Sequence, residues 1–212
     1  MRYLRKIIAW TVACLSLCAM FTGCGTNRDV YVPITSNTLE VTADGHLIAY
    51  IVEDFDKDYY DINELKTMVE EEIAAYNQAK ASLVSEAGQV PITVDKVMMA
   101  EDGSKKAVVA LNCANAAVYA DYMGAEAFYG TVTQASQKGY VLDGMLKSVK
   151  NDEPFIGETL KKNQDKNILI IKDAVTVRTY DKVQFLSKNA SLTAEGFVNA
   201  EAKDELKYII IK

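Results

Sequence analysis

Histidine is all but missing from this sequence: His46 is the only one in 212 residues, and that scarcity removes most routes to catalysis. A Ser–His–Asp or Cys–His site would have to be built on it. His46 directly follows the turn-forming run Ala43-Asp44-Gly45, where a polar residue opening a strand needs no catalytic explanation. Cysteine is scarce too, with Cys14 and Cys18 inside an N-terminal apolar run and only Cys24 and Cys113 after it. One histidine and so few thiols cannot fill a structural zinc site, so no metal centre of that kind is expected. The sole tryptophan, Trp10, lies in the same apolar run, which leaves the rest of the chain without an indole platform for sugars. An excess of basic charge is also absent, since 23 Lys and Arg face 29 Asp and Glu. That balance argues against nucleic acid and against adhesion through a polybasic surface.

What is present begins at the N-terminus. Arg2, Arg5 and Lys6 precede fifteen uncharged residues, Ile7 to Phe21, and the run ends at Thr22-Gly23-Cys24 before polar Gly25-Thr26-Asn27-Arg28-Asp29. A spanning helix needs about 20 apolar residues, whereas a secretion signal has this shorter layout with small residues at its end.

Phe21-Thr22-Gly23-Cys24 resembles the lipobox of bacterial lipoproteins, departing from it only in having Phe21 where Leu is usual. The resemblance implies that residues 1–23 are a signal peptide cleaved between Gly23 and Cys24. It also implies a diacylglyceryl group, with its two acyl chains, on the thiol of Cys24, which cleavage would make the new N-terminus. Each buried methylene adds roughly 0.8 kcal/mol, so one chain binds a membrane marginally while two hold it. Loss of the signal would leave 20 basic against 29 acidic residues, a net charge of −9, with Cys113 unpaired. A disulfide framework is thereby excluded for the monomer, and the domain must rest on an ordinary apolar core.

Residues 24–38 are polar and read as a lipidated cysteine and tether, and 39–212 as a single α+β domain outside the cytoplasm. Leu39-Glu40-Val41-Thr42 and His46 to Val52 flank a glycine turn and predict a β-hairpin. Asp61, with Glu64 three residues on, predicts a helix start, and Ile62, Leu65, Met68, Val69, Ile73 and Tyr76 mark one apolar face. Ile92 to Met99 and Lys105 to Cys113 predict a second hairpin, and the Ala-rich stretch Asn115 to Lys138 predicts a helix in two pieces, broken near Gly124 or Gly130. A short helix is expected over 157–163. Ile168 to Ile171, Val175 to Thr179, Lys182 to Leu186 and Ile209 to Ile211 then make a β-rich final third. The class is α+β: antiparallel hairpins and sheet packed with two or three helices. Hairpin-then-helix occurs twice, over 39–79 and 92–138, a faint internal echo.

Two clusters remain as candidate sites. Asp54, Asp56 and Asp58 imitate the opening of a calcium loop, but Tyr59 stands where that loop needs glycine and Leu65 where it needs a bidentate glutamate. Carboxylates before a helix also complement its dipole, so these three are weak metal candidates and no cofactor is expected. Gly103-Ser104-Lys105-Lys106 lacks phosphate-loop spacing and reads as a hairpin turn. Tyrosine, by contrast, is abundant: Tyr59, Tyr60, Tyr119, Tyr122 and Tyr129 could form a binding surface, because each has a flat apolar face and a polar tip. The alternative is that Tyr119, Tyr122 and Tyr129 merely pack helices on the sheet.

The function expected is a membrane-anchored, non-catalytic module that binds an envelope protein, peptide or glycan. An envelope hydrolase using paired carboxylates, with or without a metal, is the competing expectation. The lipobox with a small acidic domain behind it resembles the envelope lipoproteins of Gram-positive bacteria, and that resemblance carries over no catalytic residue.

Overall fold

Ile168 to Ile171 and Tyr208 to Ile211 are apolar at every position, which is the pattern of strands covered on both faces rather than one. They are two adjacent interior strands of the inner of two sheets in the computed structural model, which describes residues 33–86, 88–200 and 204–212. These residues belong to one compact unit, Tyr31–Lys212.

The elements run β1 (Thr38–Val41), β2 (Leu47–Asp54), α1 (Ile62–Ala79), a single 3₁₀ turn (Ala81–Leu83), β3 (Ile92–Met99), β4 (Lys106–Cys113) and α2 (Ala116–Met123). They continue through β5 (Glu126–Thr131), α3 (Val132–Gln137), β6 (Leu146–Ser148), α4 (Gly157–Lys162) and β7 (Asn167–Lys172). The last are β8 (Val175–Thr179), β9 (Val183–Ser187), β10 (Ser191–Leu192), β11 (Val198–Ala200) and β12 (Lys207–Ile211). Seven strands form an outer sheet in the order β10-β11-β8-β1-β2-β4-β3, and five form an inner sheet in the order β5-β7-β12-β9-β6. All pairings are antiparallel except β1 with β8. The class is α+β and rich in strand, as the sequence pattern indicated, with four α-helices among the described residues.

Strand alternation sorts the core into two layers. Leu39, Leu47, Ala49, Leu111, Cys113 and Val177 on the outer sheet meet Leu169, Ile171, Ile209 and Ile211 on the inner one, joined by Val118 and Tyr119 of α2. The opposite face of the inner sheet, Ile168, Ile170, Tyr208 and Ile210, packs on Val132 and Ala135 of α3 and on Leu142, Leu146 and Phe155. Burying each such aliphatic side chain contributes about 1.5–3 kcal/mol, so the described residues, whose one cysteine is free, are held by these layers.

Two expectations need correction. The Ala-rich stretch is not helix throughout: α2 stops at Gly124, whose φ of +63° is a left-handed cap, and 126–131 form a strand. Helix propensity loses there because Ala127, Phe128 and Tyr129 pair with Ile171, Ile170 and Leu169, filling both core layers at once. The tether ends before Thr38, which is buried in β1, and Asn37 is already docked: its carbonyl accepts from the Thr176 amide at 3.0 Å and its side chain from the Val52 amide at 2.8 Å. Strands β6, β10 and β11 have no clear period in the sequence, being two or three residues long. Hairpin-then-helix does occur twice, as β1-β2-α1 and β3-β4-α2, with β2 and β4 adjacent in the outer sheet.

Candidate functional site

Helix α1 begins as the sequence requires. The Asp61 carboxylate accepts from the Asn63 amide at 2.7 Å and the Glu64 amide at 3.4 Å, which fixes the first turn. Its far half is clamped. Ile73 is buried at 3% exposure, Asn77 exchanges two hydrogen bonds with the Ile92 backbone at 2.7 and 2.8 Å, and Lys80 pairs with Asp121 at 2.7 Å. The Tyr76 hydroxyl donates to Asp121 at 3.0 Å and the Tyr122 hydroxyl to Glu72 at 2.9 Å, with the two rings edge to face at 5.1 Å.

The near half is different. Ile73 is the only buried residue among the eighteen of α1, and Met68, on the apolar face, is 66% exposed. Between the first turns of α1 and the inner face of the outer sheet lies a groove of about 560 Å³. Its floor is Ile51, Ala107, Val109 and Leu111, and its far wall is Leu65, Met68 and Val69. The loop from Phe55 to Tyr60 closes one end. Phe55 continues the β2–β4 pairing by donating its amide to the Lys105 carbonyl at 2.7 Å, and Phe55, Tyr60 and Tyr59 stack in sequence with centroids 4.8 and 4.9 Å apart. Glu53, Asp54, Asp61, Glu64 and Glu72 stand around the groove, and no Lys or Arg lines it. A volume of this size, mostly apolar with a few polar groups, is that of a ligand site. A second hollow of about 460 Å³ adjoins it over the crest of α1, sharing Asp61, Glu64 and Met68.

The groove unites features that are separate in the sequence. Tyr59, Tyr60 and Tyr122 meet there, together with Asp54. Tyr119 does not: it is 1% exposed, its hydroxyl donates to Asp173 at 2.8 Å, and burial raises its pKa well above the ordinary phenol value, so it belongs to the core and to no surface. Tyr129 is half-buried against the turn at Gly45, away from the groove. Asp56 forms a surface ion pair with Lys57 at 3.0 Å, and no three His, Cys, Asp or Glu among the described residues are gathered as a metal site. Gly23 and Cys24 lie outside the described residues, as do Cys14 and Cys18.

His46 and Cys113 are on opposite faces of the outer sheet. His46 Nδ1 lies 3.1 Å from the Asn112 side-chain oxygen, while Cys113, the next residue, points into the core, where burial pushes its thiol up to about 12. Gly103-Ser104 forms the β3–β4 turn, with the Ser104 amide donating to Asp102 at 2.9 Å. Leu65, Met68 and Val69 were read from the sequence only as the packing face of a helix, and Ile51 and Val109 only as strand, so none was named as a site residue. The available signal was the coincidence of that stripe with the aromatic and acidic run before it.

No helix among the described residues is long and apolar enough to cross a membrane. Comparison with family models, with curated proteins and with solved structures finds no match to this chain.

Proposed function

We propose that this chain is an extracytoplasmic binding module, held on a membrane by acyl chains on Cys24, whose groove beneath α1 takes the apolar part of an envelope partner. The observation that carries the reading is the half-packed helix. Helices in folded proteins are stabilised mainly by burying their apolar stripe, yet α1 leaves Met68 66% exposed and Leu65 and Val69 only half-buried beside a cavity, while Ile73 and the polar clamp hold its other end. A ligand seated in the groove completes that packing. Two of the carboxylates around it are already engaged in holding the fold, Asp61 as the cap of α1 and Glu72 as acceptor from the Tyr122 hydroxyl.

The reading is tested in cells producing the anchored chain with a photo-crosslinking side chain at Met68, or at Val141, which is equally exposed and lies outside the groove. A discrete adduct is expected from position 68 and not from 141, and Cys24→Ala should accumulate as unprocessed, unacylated precursor. No adduct specific to position 68 would remove the groove from the reading; a Cys24→Ala chain processed and located like the parent would remove the anchor.

A further inference from the structure

Charge in this molecule is distributed very unevenly, and five carboxylates of its most acidic segment, Glu53, Asp54, Asp61, Glu64 and Glu72, line the groove. From Glu53 to Glu72 the sequence carries nine carboxylates against Lys57 and Lys66, an excess of seven negative charges in a chain whose net charge is −6. The rest of the protein is close to neutral. An apolar cleft rimmed by one sign of charge focuses the field and selects ligands of the opposite sign. A shallow hollow over Asn63, Thr67 and Met68 continues the groove along α1 and keeps Asp61 and Glu64 at its edge, so the acidic rim extends beyond a single pit.

We infer that the occupant of the groove is a cationic amphipathic peptide segment. The inference rests on the groove being a binding site, as proposed above. Bulky apolar side chains at i and i+3 or i+4 on a helical segment would enter the groove between Leu65, Met68 and Val69 and the sheet, and Lys or Arg flanking them would meet Glu53, Asp61 and Glu64 along the rim. Met68, unbranched and adaptable, suits a lip that must fit side chains of differing shape. A second copy of this chain is disfavoured by the same charges, since two such rims would face each other with like sign.

The test uses the acylated chain in nanodiscs of uncharged lipid, with empty nanodiscs as the blank, and three labelled helical peptides read by fluorescence anisotropy. One has Leu at i and i+4 between lysines, one replaces the lysines with glutamates, and one replaces the leucines with serines. The Leu/Lys peptide should bind at least about tenfold more tightly than either companion. Its affinity should fall with added salt, and the double variant Glu53→Gln, Glu64→Gln should lose most of that salt dependence while melting like the parent. Equal binding of the lysine and glutamate peptides would overturn the inference and leave the groove reading standing. Equal binding of the leucine and serine peptides would reduce the effect to surface charge and overturn it as well. A dimer of the chain abolished by Met68→Glu would assign the groove to a second copy, and failure of all three peptides would refute a cationic peptide outright. In each of these cases the adduct at position 68 decides separately whether the groove binds anything.

Discussion

Cys113 and Tyr119 show how far a single residue can be read without its neighbours. A free thiol on an apolar strand is expected to be buried, and Cys113 is, inside the layer between the two sheets. With its pKa pushed up to about 12, thiolate at neutral pH is on the order of a thousandfold scarcer than for an ordinary cysteine. Iodoacetamide should therefore leave Cys113 unmodified in the native protein and alkylate it at an ordinary rate in urea, as followed by mass spectrometry. Native-state alkylation at the rate of an exposed thiol would contradict the burial described. Tyr119 and Tyr122, three apart on α2, could not be separated in the sequence, since both suit a half-buried helix face. Which one is sealed was decided by the loop after β7, where Asp173 accepts the Tyr119 hydroxyl, and by α1, whose Glu72 accepts that of Tyr122.

At the scale of the element, α1 is one helix in two mechanical states. Its limits, cap and apolar stripe were legible, because capping chemistry and helical period are local. That the stripe is packed at Ile73 and unpacked at Met68 was not, because it depends on where β2 and β4 place Ile51 and Val109. The amides following the first turn, up to Glu72, should exchange faster than those from Ile73 to Ala79, since local opening there exposes little buried surface. Asp61→Ala, which removes the cap and typically costs about 1 kcal/mol, should accelerate exchange in those first turns while barely changing the melting temperature. A cooperative loss of protection over all of α1 would show that the helix is not divided in this way. Strand β5 is the opposite lesson: its place in an Ala-rich stretch, with a glycine at 130, predicted broken helix, and only pairing with β7 made it a strand.

The whole molecule is built to keep phenols neutral. Burial raises the pKa of Tyr119, Tyr76, Tyr122 and Tyr129, and lifts Tyr50 to about 12, with the carboxylates of Asp173, Asp121, Glu72 and Glu40 adding to the effect at Tyr119, Tyr76, Tyr122 and Tyr50. Unfolded tyrosine ionises near pH 10, so the folded state binds these protons more tightly than the unfolded one. Their contribution is complete below about pH 10 and is lost as the pH rises beyond it. The melting temperature should fall steeply above about pH 10, with phenolate absorbance appearing together with unfolding. Tyrosines titrating near pH 10 in a protein that stays folded would contradict this. The sequence by itself determined the class of the fold, the hairpins, the limits of α1, the two-faced burial of β7 and β12, and the expectation of an anchored chain without catalytic histidine chemistry, because period, turn residues and composition act over short range. Only the tertiary structure decided that an acidic run, an aromatic loop and half of a helical stripe enclose one groove. Those parts are joined through the outer sheet, and the pairing of β2 with β4, residues some sixty apart in the chain, has no local signature.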